Sequence, residues 1–443
     1  MSGNGTSPRQ RRWLPAIVIC AVAGLLSTAC QGSASATPGS SGGASPGGVS
    51  PAASTSSAGA LLTITPANGS ENAMPDRGIT VTAAHGKITN VTVGASGGSG
   101  TAADGPVTGA LSAAGTAWRS TWALGVSQSY TVTASGVSSS GQHVTQTSSF
   151  RTLAPARTFQ TMIFEGLDKT YGVGMPIALT FSEPIVDKQA VERSLELRTS
   201  KPVVGAWYWD GSQTLDFRPR GYWPANTRVS FTGHLDGVRA GPGLYGSHTL
   251  TQSFNIGASM IVVASTATHF MRVYRNGKLF SRWPISTGKP GDNTPNGTYL
   301  TIEKGNPVLM KGPGYKLEVP WSVRFTWSGD YLHDAFWSVG QQGFTNVSHG
   351  CVNMPPADAE IYYKMAIPGD PVTVTGSPRA GVWDNGWTEW FLPWDRYLRG
   401  SALHEAVEAG PAGSSFVSPA ALPVSTAAAP LTQPRQDNWA ATS

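Results

Sequence analysis

Residues 333–353 have the sequence HDAFWSVGQQGFTNVSHGCVN, and the chain is organised around this stretch. It contains Cys351, with His349 two residues before it and His333 further upstream. Gly350 leaves the main chain beside the sulfur uncovered by a side chain. A thiol near an imidazole is the pattern of a nucleophile with its general base. We therefore predict covalent catalysis by Cys351, with His333 as base and the N–H groups of Gly350 and Cys351 as oxyanion donors.

The N-terminus has the three parts of an export signal. Basic RQRR at 9–12 is followed by the apolar run WLPAIVICAVAGLL and then by STAC at 27–30. Because the apolar run is shorter than the ~20 residues that span a bilayer, residues 1–29 are predicted to be a signal peptide. LLSTAC resembles a bacterial lipobox, although Ser27 replaces the usual Leu. Lipidation of Cys30 is expected, with ordinary cleavage nearby as the alternative, so the mature chain is placed at the cell envelope.

The cysteine count supports a chemical role for Cys351. The chain has 3 cysteines, of which Cys20 lies in the signal and Cys30 at its processing site. Cys351 therefore has no disulfide partner in the mature chain. A lone thiol in an oxidising compartment is either buried and inert or used in chemistry. The neighbouring histidines favour the second interpretation.

Composition excludes one class of partner. The net charge of +5 includes Arg9, Arg11 and Arg12 of the signal, and without them about +2 remains. This balance is too small to indicate nucleic-acid binding. Residues 30–59 are almost entirely Ser, Gly, Ala, Thr and Pro, and none of them is Asp, Glu, Lys or Arg. Such a segment predicts a flexible linker.

Residues 60–257 carry short alternating runs separated by turn residues. This pattern predicts antiparallel sandwiches, and the closing runs SSFRT at 148–152 and QSFNI at 252–256 mark the ends of two of them. The prediction is mainly β, with two tandem immunoglobulin-like β-sandwich domains at 60–153 and 154–257. Neither contains a cysteine pair, and their scattered histidines are not predicted to be catalytic.

Residues 258–377 are predicted to form a third, β-rich domain, the catalytic one. Asn276-Gly277 and Asn296-Gly297 are the strongest hairpin signals in it. A long loop over 305–329 is interpreted as a flap above the site. The aromatic segment at 378–409 predicts a short C-terminal subdomain strapped over the catalytic domain. Residues 410–443 return to a low-complexity composition and are predicted to be a disordered tail.

Three stretches together resemble a known family. VYRNGKLFSRWPISTGKPGDNTPNGTY at 273–299, HDAFW at 333–337 and SHGCVNM at 348–354 are similar to the L,D-transpeptidase (YkuD-type) catalytic domain. The two preceding sandwiches resemble the actinobacterial members. The family pattern is a His, a gap and then Ser/Thr-His-Gly-Cys-x-Asn, which His333 and residues 348–353 match.

The resemblance implies a peptidoglycan L,D-transpeptidase. Such an enzyme forms 3-3 cross-links between stem peptides through a Cys thioester, with release of the terminal D-Ala of a tetrapeptide donor. The acceptor is the side-chain amine of diaminopimelate, and carbapenem β-lactams are the expected covalent inhibitors. No cofactor or metal is implied, and a monomer is expected. A cysteine hydrolase of the same polymer and a wall-binding protein with an inert thiol are the alternatives.

The resemblance also assigns substrate-binding positions to Tyr315, Ser328, Gly329 and Asn353. Core packing is the alternative for Tyr315. His349 is either a second catalytic or donor-positioning group, or a packing residue that holds the turn. His333 is oriented through its other ring nitrogen, either by the backbone carbonyl at 334, as the resemblance implies, or by the Asp334 side chain.

Overall fold

The computed structural model describes residues 61–96, 106–312 and 315–422. The predicted signal peptide, the lipidation site at Cys30 and the linker lie outside these residues, as does 423–443. Within the described part of the chain, no helix is both long and apolar enough to cross a membrane. The mainly β fold class predicted from the sequence is confirmed.

The first sandwich buries the alternate side chains of its strands. In the strand at Ser129–Ser138, Tyr130, Val132 and Ala134 are buried while Thr131 is exposed, the period of two that a half-buried strand requires. One sheet has the order β1-β2-β5-β4 and the other β3-β6-β7. Their ranges are β1 Leu62–Thr65, β2 Thr80–Ala83, β3 Gly86–Ser96, β4 Gly109–Leu111, β5 Ala117–Ser120, β6 Ser129–Ser138 and β7 His143–Arg151.

The second sandwich is built around Trp207, which packs on Phe217 and Phe231 with ring centroids 5.2 and 6.2 Å away. Its larger sheets have the orders β10-β18-β15-β12 and β31-β30-β13-β14-β11-β9, with a small sheet β16-β17-β8. The ranges are β8 Arg157–Phe159, β9 Thr161–Ile163, β10 Thr170–Tyr171, β11 Ile177–Phe181, α1 Lys188–Arg193, β12 Leu195–Thr199, β13 Val203–Asp210, β14 Thr214–Pro219, β15 Thr227–Gly233, β16 Arg239–Gly241, β17 Leu244–Gly246, β18 Leu250–Ile256, β30 Ala406–Gly410 and β31 Gly413–Val417.

The third domain packs two sheets over one apolar core. The sheets have the orders β21-β20-β19-β29-β22 and β23-β26-β27-β28, and their buried side chains form one cluster with Ala359 and Tyr362 of helix α2. The ranges are β19 Met260–Ser265, β20 Phe270–Arg275, β21 Lys278–Pro284, β22 Gly297–Leu300, β23 Glu303–Gly305, β26 Ser322–Arg324, β27 Tyr331–Asp334, β28 Val352–Met354, α2 Pro356–Met365 and β29 Pro371–Thr375. The second sheet carries the predicted site.

The predicted flap is a hairpin rather than a loop. Strands β24 (Val308–Gly312) and β25 (Tyr315–Val319) pair with each other in a separate two-stranded sheet. In their register Gly312 lies opposite Tyr315. Because paired residues point to the same side, Tyr315 shares its side of the hairpin with Met310 and Leu317.

The C-terminal prediction is wrong in two respects. Residues 410–422 are ordered, because β31 pairs with β30, and β30 in turn extends the sheet of the second sandwich by pairing with β13. Helix α3 (Trp394–Leu398) packs against the same sandwich through Tyr397 and Leu398. The segment therefore completes the second sandwich and is not a strap over the catalytic domain alone.

One of the two predicted hairpins is also wrong. Asn276 and Gly277 have φ values of 47° and 77° and join β20 to β21 as expected. Gly297, in contrast, begins β22, which pairs with β29. A Cβ on Gly297 would lie 2.3 Å from the Phe391 ring. This glycine therefore allows close packing of the C-terminal segment on the catalytic domain.

Gly297→Ala should lower the free energy of unfolding by about 3 kcal/mol, because it forces the Phe391 ring to move and strains a backbone with φ of 141°. Gly291→Ala is the control, since its φ is 96° and nothing lies within 4 Å of the added Cβ; about 1 kcal/mol is expected there. Urea unfolding measures both. Equal losses would contradict the packing role.

Candidate active site

The predicted base lies on a strand that pairs in parallel with the strand immediately after the predicted nucleophile. In β27 and β28, Leu332 is paired with Val352 and His333 with Asn353. Paired residues of parallel strands point to the same side, and residues two apart on a strand share a side. Cys351 immediately precedes β28, two residues before Asn353. Extended back by one residue, the alternation of β28 places Cys351 on the same side of the sheet as His333.

His333 is held in one tautomer. Its side chain is 3% exposed, and Nδ1 donates a hydrogen bond of 2.7 Å to the Asp334 carbonyl oxygen. Nε2 is consequently left without its proton and able to accept one. Burial lowers the pKa of His333 to about 4, and the bond to Asp334 opposes this only in part. The ring is therefore neutral at physiological pH.

The backbone carbonyl, not the Asp334 side chain, orients the base. Asp334 is itself buried, and its Oδ1 has no hydrogen-bond partner among the described residues. Burial raises the pKa of this carboxyl group. Of the two orienting groups left open by the sequence, the structure therefore selects the carbonyl.

Cys351 is a neutral thiol at rest. It is half-buried and unpaired, and Sγ approaches the Gly329 carbonyl oxygen at 3.9 Å. Burial raises the pKa of the thiol to about 12; the Asp330 carboxylate raises it further, while the Tyr331 N–H opposes the shift. A neutral thiol and a neutral imidazole are the reactants of general-base catalysis, and the directions of both pKa shifts favour this pair over a preformed thiolate–imidazolium pair.

The turn that carries the nucleophile is fixed by three hydrogen bonds. Ser348 Oγ donates to the Cys351 carbonyl at 2.6 Å, and the Gly350 N–H donates to Ser348 Oγ at 3.2 Å. Thr294 Oγ1 donates to the Gly350 carbonyl at 2.7 Å. The Gly350 N–H is already engaged by Ser348 Oγ in this structure. Of the two oxyanion donors predicted from the sequence, only the Cys351 N–H therefore remains a candidate.

Gly350 is required for a reason that the sequence did not show. Its φ is 128°, and a Cβ placed on it would lie 2.4 Å from Asp330 Oδ1. The space beside Gly350 is thus occupied by a carboxylate rather than left open to substrate. Glycine allows both the backbone conformation and this close approach.

His349 contacts the flap. It is exposed; its Nε2 lies 3.0 Å from Lys289 Nζ, and its ring is 5.3 Å from that of Tyr315. Tyr315 is 40% exposed, so it is not a core residue. Of the two roles considered for His349, packing is the one that these contacts support.

The other predicted substrate positions differ in accessibility. Ser328 is exposed, and its Oγ donates to Asp330 Oδ2 at 3.2 Å and accepts from Asn385 Nδ2 at 3.0 Å. Gly329, with φ of 105°, presents its carbonyl to the thiol. Asn353 is 3% exposed and its Nδ2 donates to Ser338 Oγ at 2.9 Å. Asn353 thus supports the turn after His333, and its contact with substrate stays a prediction.

Sequence reasoning did not identify Asp330, Thr294 or Lys289. Asp330 lies three residues before His333 in an ordinary turn sequence, SGD. Thr294 and Lys289 come from a loop far from the motif in sequence. No local pattern marks these residues, because their roles depend on tertiary contacts. Among the described residues, no group of three His, Cys, Asp or Glu side chains could hold a metal ion.

The fold and the site define a two-sheet domain with a candidate Cys–His site that follows sandwich domains, and comparison with known proteins assigns the family. The L,D-transpeptidase catalytic domain matches residues 259–374, and a bacterial Ig domain matches 70–239. L,D-transpeptidase 2 of Mycobacterium tuberculosis is 32% identical over 354 residues, which cover 77% of this chain and 85% of the relative. The chain belongs to the L,D-transpeptidase family.

Two further proteins are similar to this chain. L,D-transpeptidase 5 of Mycobacterium tuberculosis is 33% identical over 353 residues, which cover 77% of each chain. A solved structure of the LD transpeptidase LdtMt1 in complex with imipenem is 35% identical and covers 50% of this chain and 100% of its own, with a TM-score of 0.42.

Because the pKa of the resting thiol is about 12, alkylation of Cys351 by iodoacetamide should be slow at pH 7. The rate should rise about tenfold per pH unit without a plateau up to pH 10, since only the thiolate reacts. Intact-mass kinetics measure this rate. The unfolded protein is the control and should level off above about pH 8.5. A plateau below pH 7 in the folded protein would contradict the neutral pair.

Proposed function

We propose that this protein cross-links peptidoglycan stem peptides through an acyl-thioester on Cys351. The observation that carries the proposal is the strand register that puts His333 and Cys351 on one side of the sheet, with the His333 tautomer set by the Asp334 carbonyl. The reaction is the formation of 3-3 cross-links with release of D-Ala, and the enzyme is a cysteine acyltransferase.

In the first half-reaction, Nε2 of His333 takes the thiol proton as Sγ attacks the carbonyl before the terminal D-Ala of the donor. The C–N bond then breaks, and the proton on His333 passes to the leaving amine. The Cys351 N–H lies at the nucleophile and would donate to the oxyanion. Because both reactants are neutral at rest, charge appears only during attack, inside a site that burial has largely desolvated.

In the second half-reaction, the acceptor amine of a neighbouring stem displaces the thiol. Water in its place would give carboxypeptidase activity, which is the second candidate. Membership of the L,D-transpeptidase family favours the transferase. Imipenem, present in the solved relative, is the expected type of covalent inhibitor.

Incubation with disaccharide-tetrapeptide tests the reaction. Dimers and free D-Ala are expected; tripeptide without dimers would favour the hydrolase. Incubation with imipenem followed by peptide mapping should place one adduct on Cys351. Absence of both adduct and turnover would leave a wall-binding protein with an inert thiol.

Cys351→Ala should abolish turnover and change the free energy of unfolding by only about 1–2 kcal/mol. His333→Gln should slow acylation by imipenem by about a hundredfold to ten-thousandfold, since it removes the general base. His248→Gln, in the second sandwich, is the matched control and should acylate at the parent rate. Stopped-flow measurement of β-lactam absorbance gives the rates. Equal rates in the parent and His333→Gln would contradict the role of His333.

The cellular location is part of the same proposal. The signal-like residues 1–29 and the lipobox-like LLSTAC support a mature protein held at the outer face of the cytoplasmic membrane by a lipid on Cys30. Cys30→Ala should move the protein from the membrane pellet to the soluble exported fraction. An unchanged distribution, with no lipid mass on the parent, would contradict the anchor.

A further inference from the structure

Asp330 is a buried carboxylate that the proposed mechanism does not use. Its side chain is 7% exposed. Oδ2 accepts hydrogen bonds from Thr326 Oγ1 at 2.7 Å and from Ser328 Oγ at 3.2 Å. Oδ1 accepts none from the residues that the structure describes. Oδ1 is not one of the fully enclosed side-chain oxygens that lack a partner, so it is free to accept a hydrogen bond from a bound molecule.

Oδ1 lies at the reacting centre. It is 2.4 Å from the position that a Cβ on Gly350 would occupy, one residue before the nucleophile. The charge of Asp330 also acts on the Cys351 thiol, whose pKa it helps to raise. A second carboxylate in this region, Asp292, is already paired with Lys289 at 3.4 Å. Among the described residues, Asp330 accepts only from the Thr326 and Ser328 hydroxyl groups and forms no ion pair.

We propose that Oδ1 of Asp330 binds the side-chain ammonium of the acceptor stem peptide in the second half-reaction. This inference rests on the proposed transpeptidation and extends it by naming the group that selects the acceptor. A primary alkyl ammonium supplies the donors that Oδ1 lacks, and a charge-assisted hydrogen bond of this kind is stronger than one between neutral groups. Water, which is uncharged, gains much less from the same oxygen.

Aminolysis of the Cys351 thioester consumes the acceptor ammonium and regenerates the thiol. The ammonium loses one proton to solvent and the amine lone pair attacks the thioester carbonyl. The C–N bond forms, the C–S bond breaks and its electron pair goes to Cys351 Sγ. The second proton of the nitrogen passes through Nε2 of His333 to the sulfur. The products are the amide cross-link and the free thiol.

Asp330→Asn separates this role from a structural one. In the variant, the amide oxygen still accepts the hydrogen bonds from Thr326 and Ser328. The amide NH2 group takes the place of Oδ1, so the negative charge and the acceptor atom at that position are lost. Three reactions of the acyl-enzyme are compared: aminolysis by the cationic stem, hydrolysis, and aminolysis by hydroxylamine, which is uncharged at pH 7. The dimer-to-hydrolysis ratio should fall about tenfold or more, while hydroxylamine should react within about twofold of the parent rate.

Asp292→Asn is the matched control, because it removes a carboxylate that Lys289 already pairs, and its ratio should stay within about twofold of the parent. An equal slowing of all three reactions by Asp330→Asn, or an unchanged ratio, would overturn the proposal. Formation of the imipenem adduct shows that the variant is folded and competent in acylation.

The parent protein provides a second measurement that does not depend on the variant. Two acceptor analogues are compared: one in which hydrogen replaces the side-chain ammonium, and one in which a non-nucleophilic guanidinium replaces it. The uncharged analogue should compete with the acceptor about tenfold more weakly than the guanidinium analogue. Equal competition would overturn the proposal. A parent that forms neither adduct nor dimer would instead refute the proposed function, so the two failures are distinguishable.

Discussion

The parallel pairing of β27 with β28 is the constraint on which the site depends. It brings together two segments that are separated in sequence by the turn after His333 and the glycine-rich stretch before Ser348. A shift of one residue in this register would turn His333 to the opposite side of the sheet from Cys351. The pairing is held by Leu332, Val352 and Met354, which are fully buried in the core shared with the first sheet. Apolar packing thus fixes the geometry of the polar site.

The electrostatics of the site follow from that burial. Desolvation acts in the same sense on both partners, because it disfavours the charged form of the His333 imidazole and of the Cys351 thiol. The site therefore rests without charge on either reactant. An uncharged thiol is a weak nucleophile and also a poor target for oxidants. The thiol then becomes reactive only when substrate is bound and His333 takes its proton.

The sequence predicted the features that depend on local patterns. The two sandwiches follow from period-two alternation, and the nucleophile and base follow from the motif at His333 and SHGCVN. The features that it missed depend on contacts between distant segments. Gly297 looked like a hairpin residue, although its role is to receive the Phe391 ring. The strand at 413–417 is stable because β30 provides an edge, and Asp330 matters because Gly350 lies against it.

At rest, the His333 imidazole and the Cys351 thiol are both neutral, because burial lowers the pKa of one and raises that of the other. NMR titration of the His333 ring, assigned by comparison with His333→Gln, measures this state. We expect a His333 pKa near 4 that hardly changes in Cys351→Ser, since no ion pair is lost. A His333 pKa above the ordinary value of about 6.5, falling on replacement of the cysteine, would show instead that the two groups form an ion pair.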